Sequence, residues 1–255
     1  MESRKILLYL SLKYNGDWEK IARSIRARES FTAEQVEALT SQCKENYITI
    51  IDEDFPEIFK KMTRTPFVLY YKGDITLLSN PKILGIVGTR TPSQYGIDVT
   101  KKIVRELKED IVVVSGLAKG IDCVAHTECL RTNKKTIAFL GCGINNIYPV
   151  ENHQLYKDIE ENGLLISEYP DMVQPDKSHF PVRNRLIAGV SKGVLITEGK
   201  SKSGTSVTLS QALLFGRDVY AVPHPILGEN DNLCNDIIRD GAIVVRCGQD
   251  INEDF

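Results

Sequence analysis

From Lys82 onward the chain alternates short β-branched runs with segments of helical length, and this alternation constrains the fold more than any other feature. Parallel strands need long crossover connections, whereas antiparallel strands can be joined by tight turns. The pattern therefore predicts an α/β fold with a doubly wound, mostly parallel sheet. The predicted strands are Ile83 to Val87, Ile111 to Val114, Thr136 to Leu140, Leu164 to Ile166, Val194 to Thr197, Val219 to Val222 and Ile243 to Val245.

Apolar residues between these runs recur at helical spacing. Val99, Ile103 and Leu107 stand at i, i+4 and i+8 after Pro92, so they form one face of a predicted helix. The segment from Thr205 to Phe215 repeats the pattern less regularly. Both predicted helices fall where crossovers between parallel strands belong.

The first 80 residues have a different texture. Residues 4–45 predict two or three short helices, the last opening at Thr32 with acids in its first turns, where they favour the helix dipole. Tyr47 to Ile51 and Phe67 to Tyr71 are strand-like runs that either extend the large sheet or form a linker hairpin, and we favour extension. We predict a helical module at 1–45 and a large domain at 46–255, with 46–80 as the linker or sheet extension.

Charge excludes a generally basic surface. The chain carries 32 Lys and Arg against 34 Asp and Glu, a formal net charge of −2. A polyanion would therefore have to bind at a local basic patch. No apolar run reaches the roughly 18 residues of a membrane span and the start does not resemble a signal peptide, so we expect a cytoplasmic protein. The six cysteines form no Cys-x-x-Cys pair, so we expect reduced thiols.

One stretch, Lys177 to Thr197, contains no acid although it carries Lys177, Arg183, Arg185 and Lys192. Guanidinium groups beside Phe180 and Asn184 suit phosphate binding next to a ring on which a base can stack. The alternative is a solvated helix start whose basic residues pair with acids elsewhere.

Glycine and hydroxyl residues follow the predicted strands. Because ligands bind outside the carboxyl ends of parallel strands, these loops predict an anion-binding groove. A dinucleotide fingerprint is absent after the first strand, and so is a phosphate-binding loop with its Gly-Lys-Ser/Thr ending. The remaining ligands are a nucleotide, a sugar phosphate or linked phosphates. The loops are Gly88-Thr89-Arg90, Ser115 to Gly120, Gly141-Cys142-Gly143, Ser167-Glu168 and Glu198 through Ser203-Gly204-Thr205.

In this order, the motifs resemble the DNA-processing protein DprA (Smf) family over essentially the whole chain. The resemblance implies an extended Rossmann-like fold with a small N-terminal helical (SAM-like) module. It further implies a dimer without catalytic activity or cofactor, which binds single-stranded DNA and delivers it to the RecA recombinase in natural transformation. The motifs are Val87-Gly88-Thr89-Arg90, Ser115 to Asp122 with Ala125-His126, Tyr148-Pro149, Ser167-Glu168, Phe180 to Arg185 and Ser203-Gly204-Thr205.

By this resemblance, Arg90 and Phe180 stack on or flank bases, and Lys177 contacts phosphate. The Ser115-Gly116 turn and Ser203-Gly204-Thr205 supply backbone and hydroxyl donors. The rest of the predicted DNA-binding set is Gly88, Thr89, Lys119, Arg183, Asn184 and Arg185.

Three positions depart from the family pattern. Lys119 stands where Arg is usual, which loses a planar hydrogen-bonding fork. Pro223-His224 stands where Pro-Gly is usual, and Leu233 where Gly is usual. The chain also stops soon after Gly241-Ala242, so we expect no C-terminal winged-helix module.

Four polar residues admit a catalytic interpretation. Asp122 and His126, at i and i+4, suit a metal or an acid-base pair, but we favour a capping Asp122 and a hydrogen-bonded structural His126. Glu168 and Glu198 suit a catalytic carboxylate pair, but we favour salt bridges to Arg183 or Arg185 that shape the groove. No histidine spacing predicts a metal site.

Two rival functions remain. A phosphoribohydrolase of the lysine-decarboxylase-like (LOG) group shares the general fold, but its Pro-Gly-Gly-x-Gly-Thr-x-x-Glu signature is replaced here by Glu198 through Thr205. A module that senses free nucleotides is the other, and comparing mononucleotide with oligonucleotide binding discriminates it. For the dimer, the resemblance points to the final helix and strand, where Leu233, Ile237 and Ile238 offer an apolar strip unless they pack that helix onto the sheet.

Overall fold

The computed structural model describes residues 2–227 and 232–255. Within these ranges nine strands form one sheet, in the order β1-β2-β6-β5-β4-β3-β7-β8-β9. The strands are β1 Asn46–Thr49, β2 Val68–Gly73, β3 Ile83–Val87, β4 Val112–Ser115, β5 Thr136–Leu140, β6 Leu164–Ser167, β7 Gly193–Ile196, β8 Asp218–Ala221 and β9 Ile243–Val244.

Helices fill the connections between these strands. Those of the same described ranges are α1 Ser3–Lys13, α2 Trp18–Arg26, α3 Ala33–Thr40, α4 Glu57–Lys60, α5 Gln94–Glu106, α6 Ile121–Arg131, α7 His153–Asn162, α8 His179–Val190, α9 Gly204–Leu214, α10 Leu233–Arg239 and α11 Gly248–Asn252. Short 3₁₀ turns span Ile75–Ser79 and Val150–Asn152.

The seven strands from β3 onward are mutually parallel, which confirms the doubly wound sheet predicted from the alternation. The chain runs from β3 through β4 and β5 to β6, returns through α8, and resumes beside β3 at β7 before reaching β8 and β9. The direction of winding thus reverses between β3 and β7, which is where open α/β sheets bind ligands.

β1 and β2 extend the large sheet. β2 pairs antiparallel with β1 and also with β6, so the predicted extension is confirmed over the alternative of a separate linker hairpin.

Both faces of the sheet are covered by helices. In β3, Ile83 and Val87 pack toward one core with α4, α8, α9 and α10, whereas Leu84 and Ile86 pack toward the other with α5, α6 and α11. All five β3 residues are buried, as the continuous apolar run predicts for a central parallel strand.

The N-terminal helices dock on the sheet extension. Leu7 and Leu8 of α1 share a core with Val68 and Tyr70 of β2, and the Tyr70 hydroxyl lies 2.9 Å from the Ser11 hydroxyl. Thr32 caps α3 in a capping box with Gln35, which confirms the predicted helix start. The division at residue 45 remains a prediction, because the helical module shares its core with the larger domain.

The apolar strip expected at the end of the chain is mostly core. Leu233 and Ile237 are 5% and 8% exposed and pack in the cluster that contains α8 and α9, and Ile238 is partly buried against it. This corrects the expected interface, because apolar residues at helical spacing serve equally to fix a helix on its own sheet.

All six cysteines are unpaired, and Cys129, Cys142 and Cys234 are buried. Among the described residues, no helix has the length and apolar content needed to cross a membrane.

Candidate functional site

A groove of about 500 Å³ lies at the carboxyl edge of the sheet, between the loops that follow β3 and β7. The fold creates it because these neighbouring strands lead into connections on opposite sides of the reversal point. The structure brings together most of the residues predicted from the strand-end loops. The groove is lined by Gly88, Thr89, Arg90, Ala118, Asp122, Tyr148, Lys177, Phe180, Arg183, Asn184, Ser203, Gly204 and Thr205, among others.

Arg90 and Lys177 supply positive charge at the mouth of the groove. Both are exposed, and within residues 2–227 and 232–255 neither has a carboxylate oxygen within 4.0 Å. The Arg90 guanidinium carbon lies 5.5 Å from the centre of the Phe180 ring. Two cations without a protein counterion leave their charge available to an anion.

An aromatic pair stands beside these cations. The rings of Tyr148 and Phe180 are stacked, with centres 5.5 Å apart and planes inclined by 25°. Gly141 lies under Phe180, where a Cβ atom would come within 2.7 Å of the ring. Sequence reasoning used Tyr148 only as part of a motif and missed it as a site residue. The exposed Tyr148 next to Phe180 is a tertiary juxtaposition that the sequence does not display.

Two helices begin at the groove. Phe180 and Asn184 lie in the first turns of α8, and Gly204 and Thr205 open α9. The Asn184 Nδ2 donates to the Gly204 carbonyl at 3.3 Å, which ties the two helix starts together. The partial positive charge of both N-termini therefore adds to that of the cations.

Most of the predicted backbone donors are already used inside the protein. The Thr89 N–H donates to the Glu198 carbonyl at 2.8 Å, and the Gly116 N–H to Asp122 Oδ2 at 3.2 Å. The buried Ser115 hydroxyl donates to the Ile86 carbonyl at 2.6 Å. This corrects the expectation that the Ser115-Gly116 turn supplies donors to a ligand.

The second donor loop is also engaged. The Ser203 hydroxyl donates to the Lys200 carbonyl at 2.6 Å and accepts from the Thr205 N–H at 3.3 Å. Ser203 therefore caps α9, as hydroxyl residues do at helix starts. Gly204 has open space where a Cβ would stand, so its backbone is accessible from the groove.

Asp122 and His126 are structural. Asp122 is buried and accepts from the N–H groups of Gly116 and Ala118, and burial raises the pKa of its carboxyl group. The His126 Nδ1 lies 2.7 Å from the Thr136 hydroxyl, which itself donates to the Val113 carbonyl, so Nδ1 is the donor. The Nδ1 contact agrees with the predicted hydrogen-bonded His126, whereas the buried Nε2 has no partner in the part of the chain that the structure describes. Burial lowers the pKa of His126 to about 3.

Arg183 forms the floor of the groove. Its side chain is buried, its Nη1 donates to the carbonyls of Gly116 and Phe139, and its guanidinium carbon lies 5.9 Å from the Phe180 ring centre. Burial lowers the pKa of the guanidinium group. Arg183 thus supports the Gly116 turn and the Phe180 ring from below.

The structure does not bring Arg185 into the groove. Its Nη2 lies 2.6 Å and 2.7 Å from the two carboxylate oxygens of Glu168, and both side chains are buried. The ion pair with Glu168 agrees with the favoured interpretation of that acid. This corrects the expected phosphate contact of Arg185. Arg185 stands two positions after Arg183 on α8, and residues two apart on a helix point to different sides.

Among the described residues Glu198 has no arginine partner, which corrects the expected salt bridge to Arg183 or Arg185. Its carboxylate accepts from the Ser93 N–H at 3.1 Å and from the Ser93 hydroxyl at 2.8 Å, at the start of α5. It therefore fastens the loop that carries Arg90. Within the described residues, no group of three or more histidine, cysteine or acidic residues is placed to hold a metal ion.

The amino-acid sequence is similar to those of known DNA-processing proteins. The family model for the DNA recombination-mediator protein A matches residues 46–255. The DNA processing protein DprA of Streptococcus pneumoniae is 41% identical over 207 residues, which cover 81% of this chain and 73% of that protein. The DNA processing protein DprA of Bacillus subtilis is 40% identical over 211 residues, which cover 82% of this chain and 71% of that protein.

Solved structures show the same fold. The X-ray structure of DprA from Streptococcus pneumoniae superposes with a TM-score of 0.86 at 32% identity and covers 100% of this chain and 98% of that one. DNA processing protein A from Helicobacter pylori, whose structure concerns its single-stranded DNA binding mode, gives a TM-score of 0.74 at 32% identity. That match covers 83% of this chain and 96% of the other.

Proposed function

The chain belongs to the DNA recombination-mediator protein A family, and on that premise we propose that it binds single-stranded DNA in the groove between β3 and β7. The observation that carries the proposal is the arrangement at the groove mouth. The cations Arg90 and Lys177, which lack acid partners among the described residues, stand beside the stacked rings of Tyr148 and Phe180.

This arrangement suits a single strand better than a duplex. Every base has a flat face that can stack on an aromatic ring, and in a single strand that face is available without breaking base pairs. Cations and helix N-termini meet phosphates whatever the sequence. The site therefore favours binding with little sequence preference.

The function we propose is binding rather than catalysis. Among the described residues that line the groove, the one carboxylate is Asp122. It is buried and accepts hydrogen bonds from two backbone N–H groups. Glu168 and Glu198, the other catalytic candidates, bind Arg185 and Ser93. No observation favours a LOG-type phosphoribohydrolase, whose acid would have to face the groove.

Fluorescence anisotropy of a labelled single strand and of a duplex of equal length, over a salt series, tests the proposal. Each phosphate neutralised on a single strand contributes about 0.7 to the log-log salt slope. With Arg90 and Lys177 as the cations, we expect a slope of about −1.4 and tighter binding of the single strand. A flat salt response would contradict the proposal, as would a mononucleotide that binds as tightly as the oligonucleotide.

We further propose that the bound strand is delivered to the RecA recombinase in natural transformation, which rests on the family resemblance and on the DNA-processing names of the relatives. The test is RecA filament formation on single-stranded DNA precoated with a single-strand binding protein. The protein should accelerate it, and Phe180→Ala should reduce the acceleration in proportion to its loss of affinity for the strand. Acceleration that survives loss of DNA binding would contradict delivery from this groove.

We also propose that the chain forms a homodimer. Because the apolar residues of α10 are largely buried, we place the interface on exposed apolar residues nearby. Exposed apolar side chains near that end of the sheet are Leu213 and Leu214 of α9, 63% and 67% exposed, and Ile243 and Val244 of β9. Light scattering at micromolar concentration should give twice the chain mass, and Leu214→Glu should give the monomer. Because Leu233→Glu would unfold α10, it serves as the contrast in a thermal melt. A monomeric wild type would refute the dimer.

A further inference from the structure

Lys119 differs from the other two cations near the groove. Its Nζ lies 2.6 Å from Oε1 of Glu151, and the side chains are 55% and 66% exposed. Lys119 also lines a small recess of about 60 Å³ beneath Tyr148 and Phe180. Its charge therefore stands beside the proposed DNA path but is already matched by an acid.

The fold holds this acid in place. Glu151 belongs to the 3₁₀ turn Val150–Asn152, and the buried Asn152 donates from Nδ2 to the Leu117 carbonyl at 3.0 Å. That bond fastens the Glu151 turn to the loop in which Lys119 lies two residues after Leu117. The same turn follows Tyr148, so one short segment carries both a stacking ring and an acid. The ion pair is thus a product of two docked loops.

We propose that Glu151 is an internal counterion that occupies Lys119 and thereby weakens single-stranded DNA binding and its salt dependence. The inference rests on the proposed function. Glu151 acts through Lys119 and does not have to touch the DNA.

Two anions, the Glu151 carboxylate and a DNA phosphate, compete for the one ammonium group of Lys119. A phosphate that approaches Lys119 must displace the carboxylate, and exposed pairs of this kind are weak enough to exchange. The displaced Glu151 then lies beside a polyanion and retains a cation from solution, so fewer counterions are released overall. If the pair instead persists in the complex, Lys119 contributes no phosphate contact. Both routes lower the affinity and flatten the salt slope.

Glu151 is charged under ordinary conditions. The hydrogen bond from the Lys119 ammonium lowers the pKa of its carboxyl group. Replacing the carboxylate by an amide therefore removes a charge while it preserves the shape of the side chain.

The experiment compares Glu151→Gln, Lys119→Gln and the double variant with the wild type, by anisotropy of a labelled oligonucleotide over a salt series. We expect Glu151→Gln to bind about two- to fivefold more tightly near 0.1 M salt. Its log-log slope should steepen by up to about 0.7, the share of one phosphate on a single strand. The double variant should lose both gains, because they depend on the freed ammonium.

Glu57→Gln is the matched control. Glu57 pairs with Lys60 at 2.5 Å in an exposed ion pair on α4, and it does not line the groove. The control removes one negative charge from the protein and should leave the affinity and slope near the wild-type values.

Three results would overturn the inference. They are an unchanged or weakened Glu151→Gln, a gain that persists in the double variant, and an equal gain in Glu57→Gln. These failures are distinguishable from failure of the proposed function, since the latter would appear as a wild type without salt-dependent binding to single strands.

Discussion

The mouth of the groove and the buried side of α8 contain the same residue type in opposite roles. Arg90 at the mouth is exposed and has no acid partner among the described residues, whereas Arg183 and Arg185 are buried within α8. Arg183 donates to backbone carbonyls, and Arg185 is paired with Glu168. The mouth offers its charge to a ligand, whereas the buried arginines direct theirs to carbonyl groups and to an acid inside the fold.

The difference shows that burial, more than residue type, assigns an arginine its role. A buried charge must be paired or hydrogen-bonded because desolvation is expensive, so its partners are fixed in the folded protein. An exposed charge stays hydrated and exchanges partners easily. Substitutions of the buried arginines should therefore change the free energy of unfolding, and substitutions at the mouth should change the affinity for DNA.

The largest effect should come from the buried ion pair. Arg185→Ala leaves Glu168 buried without its partner, and we expect a loss of about 3–5 kcal/mol in the free energy of unfolding. Urea unfolding followed by circular dichroism measures it. Arg90→Ala, the matched change at the mouth, should stay within about 0.5 kcal/mol of the wild type. If Arg185→Ala keeps its stability and loses DNA binding, the comparison is broken.

The aromatic pair should show the largest effect on binding. Phe180→Ala removes one stacking platform, and we expect a loss of about 1–3 kcal/mol in affinity with the salt slope unchanged. Anisotropy over a salt series measures both quantities. Phe180→Leu is the control, because it keeps apolar volume over Gly141 without the flat ring and should lose nearly as much affinity. A lower melting temperature in Phe180→Leu would mean that the Phe180 ring stabilises the fold instead of binding a base.

His126 extends the comparison to pH. Its pKa of about 3 in the folded protein lies below the ordinary value of 6.5. Between these two pH values the unfolded chain binds a proton on this ring and the folded protein does not. The stability that this provides is present above pH 6.5 and is lost as the pH falls toward 3. Between pH 7 and pH 5.5 the loss should be about 1 kcal/mol.

The check is to compare urea unfolding of the wild type and His126→Gln at the two pH values. Other groups titrate in both proteins, so the contribution of His126 is the difference between their pH dependences. Equal pH dependences would mean that the native ring takes up a proton in this range.

The smallest effect concerns Lys177. Lys177→Gln should lower the salt slope by about 0.7 and leave the melting temperature unchanged, because one phosphate contact is lost from an exposed position. Lys61→Gln, which alters an exposed lysine outside the groove lining, should change neither. Equal slopes for the two variants would remove Lys177 from the mouth.

The fold was largely predictable from the sequence because its signals are local. Continuous β-branched runs such as Ile83 to Val87 predict strands buried on both faces, and Thr32 with Gln35 marks a helix start. The sheet edge that carries the groove followed from the rule that the loops after parallel strands meet there. Arg90 was found in this way, whereas Lys177 and Phe180 were found in the stretch without acids, and the structure places all three around one cavity.

The roles of the other residues depended on contacts between distant segments. Arg185 and Glu168 are 17 residues apart, and Glu198 reaches Ser93 across 105 residues. Local patterning carries no signal for such pairs. The predicted phosphate contact of Arg185 and the predicted arginine contact of Glu198 were wrong for this reason. Tyr148 was missed for the same reason, since its stacking on Phe180 joins two separate loops.

The sequence by itself determined the alternation of strands and helices, and with it a wound parallel sheet whose loops meet at one edge. Secondary structure and topology follow from periodicity, chain length and connection handedness, which are properties of contiguous residues. The tertiary structure alone decided which cations of that edge face solvent and which lie beneath it. That choice is made by packing, because the cost of removing a charge from water depends on every segment that encloses it.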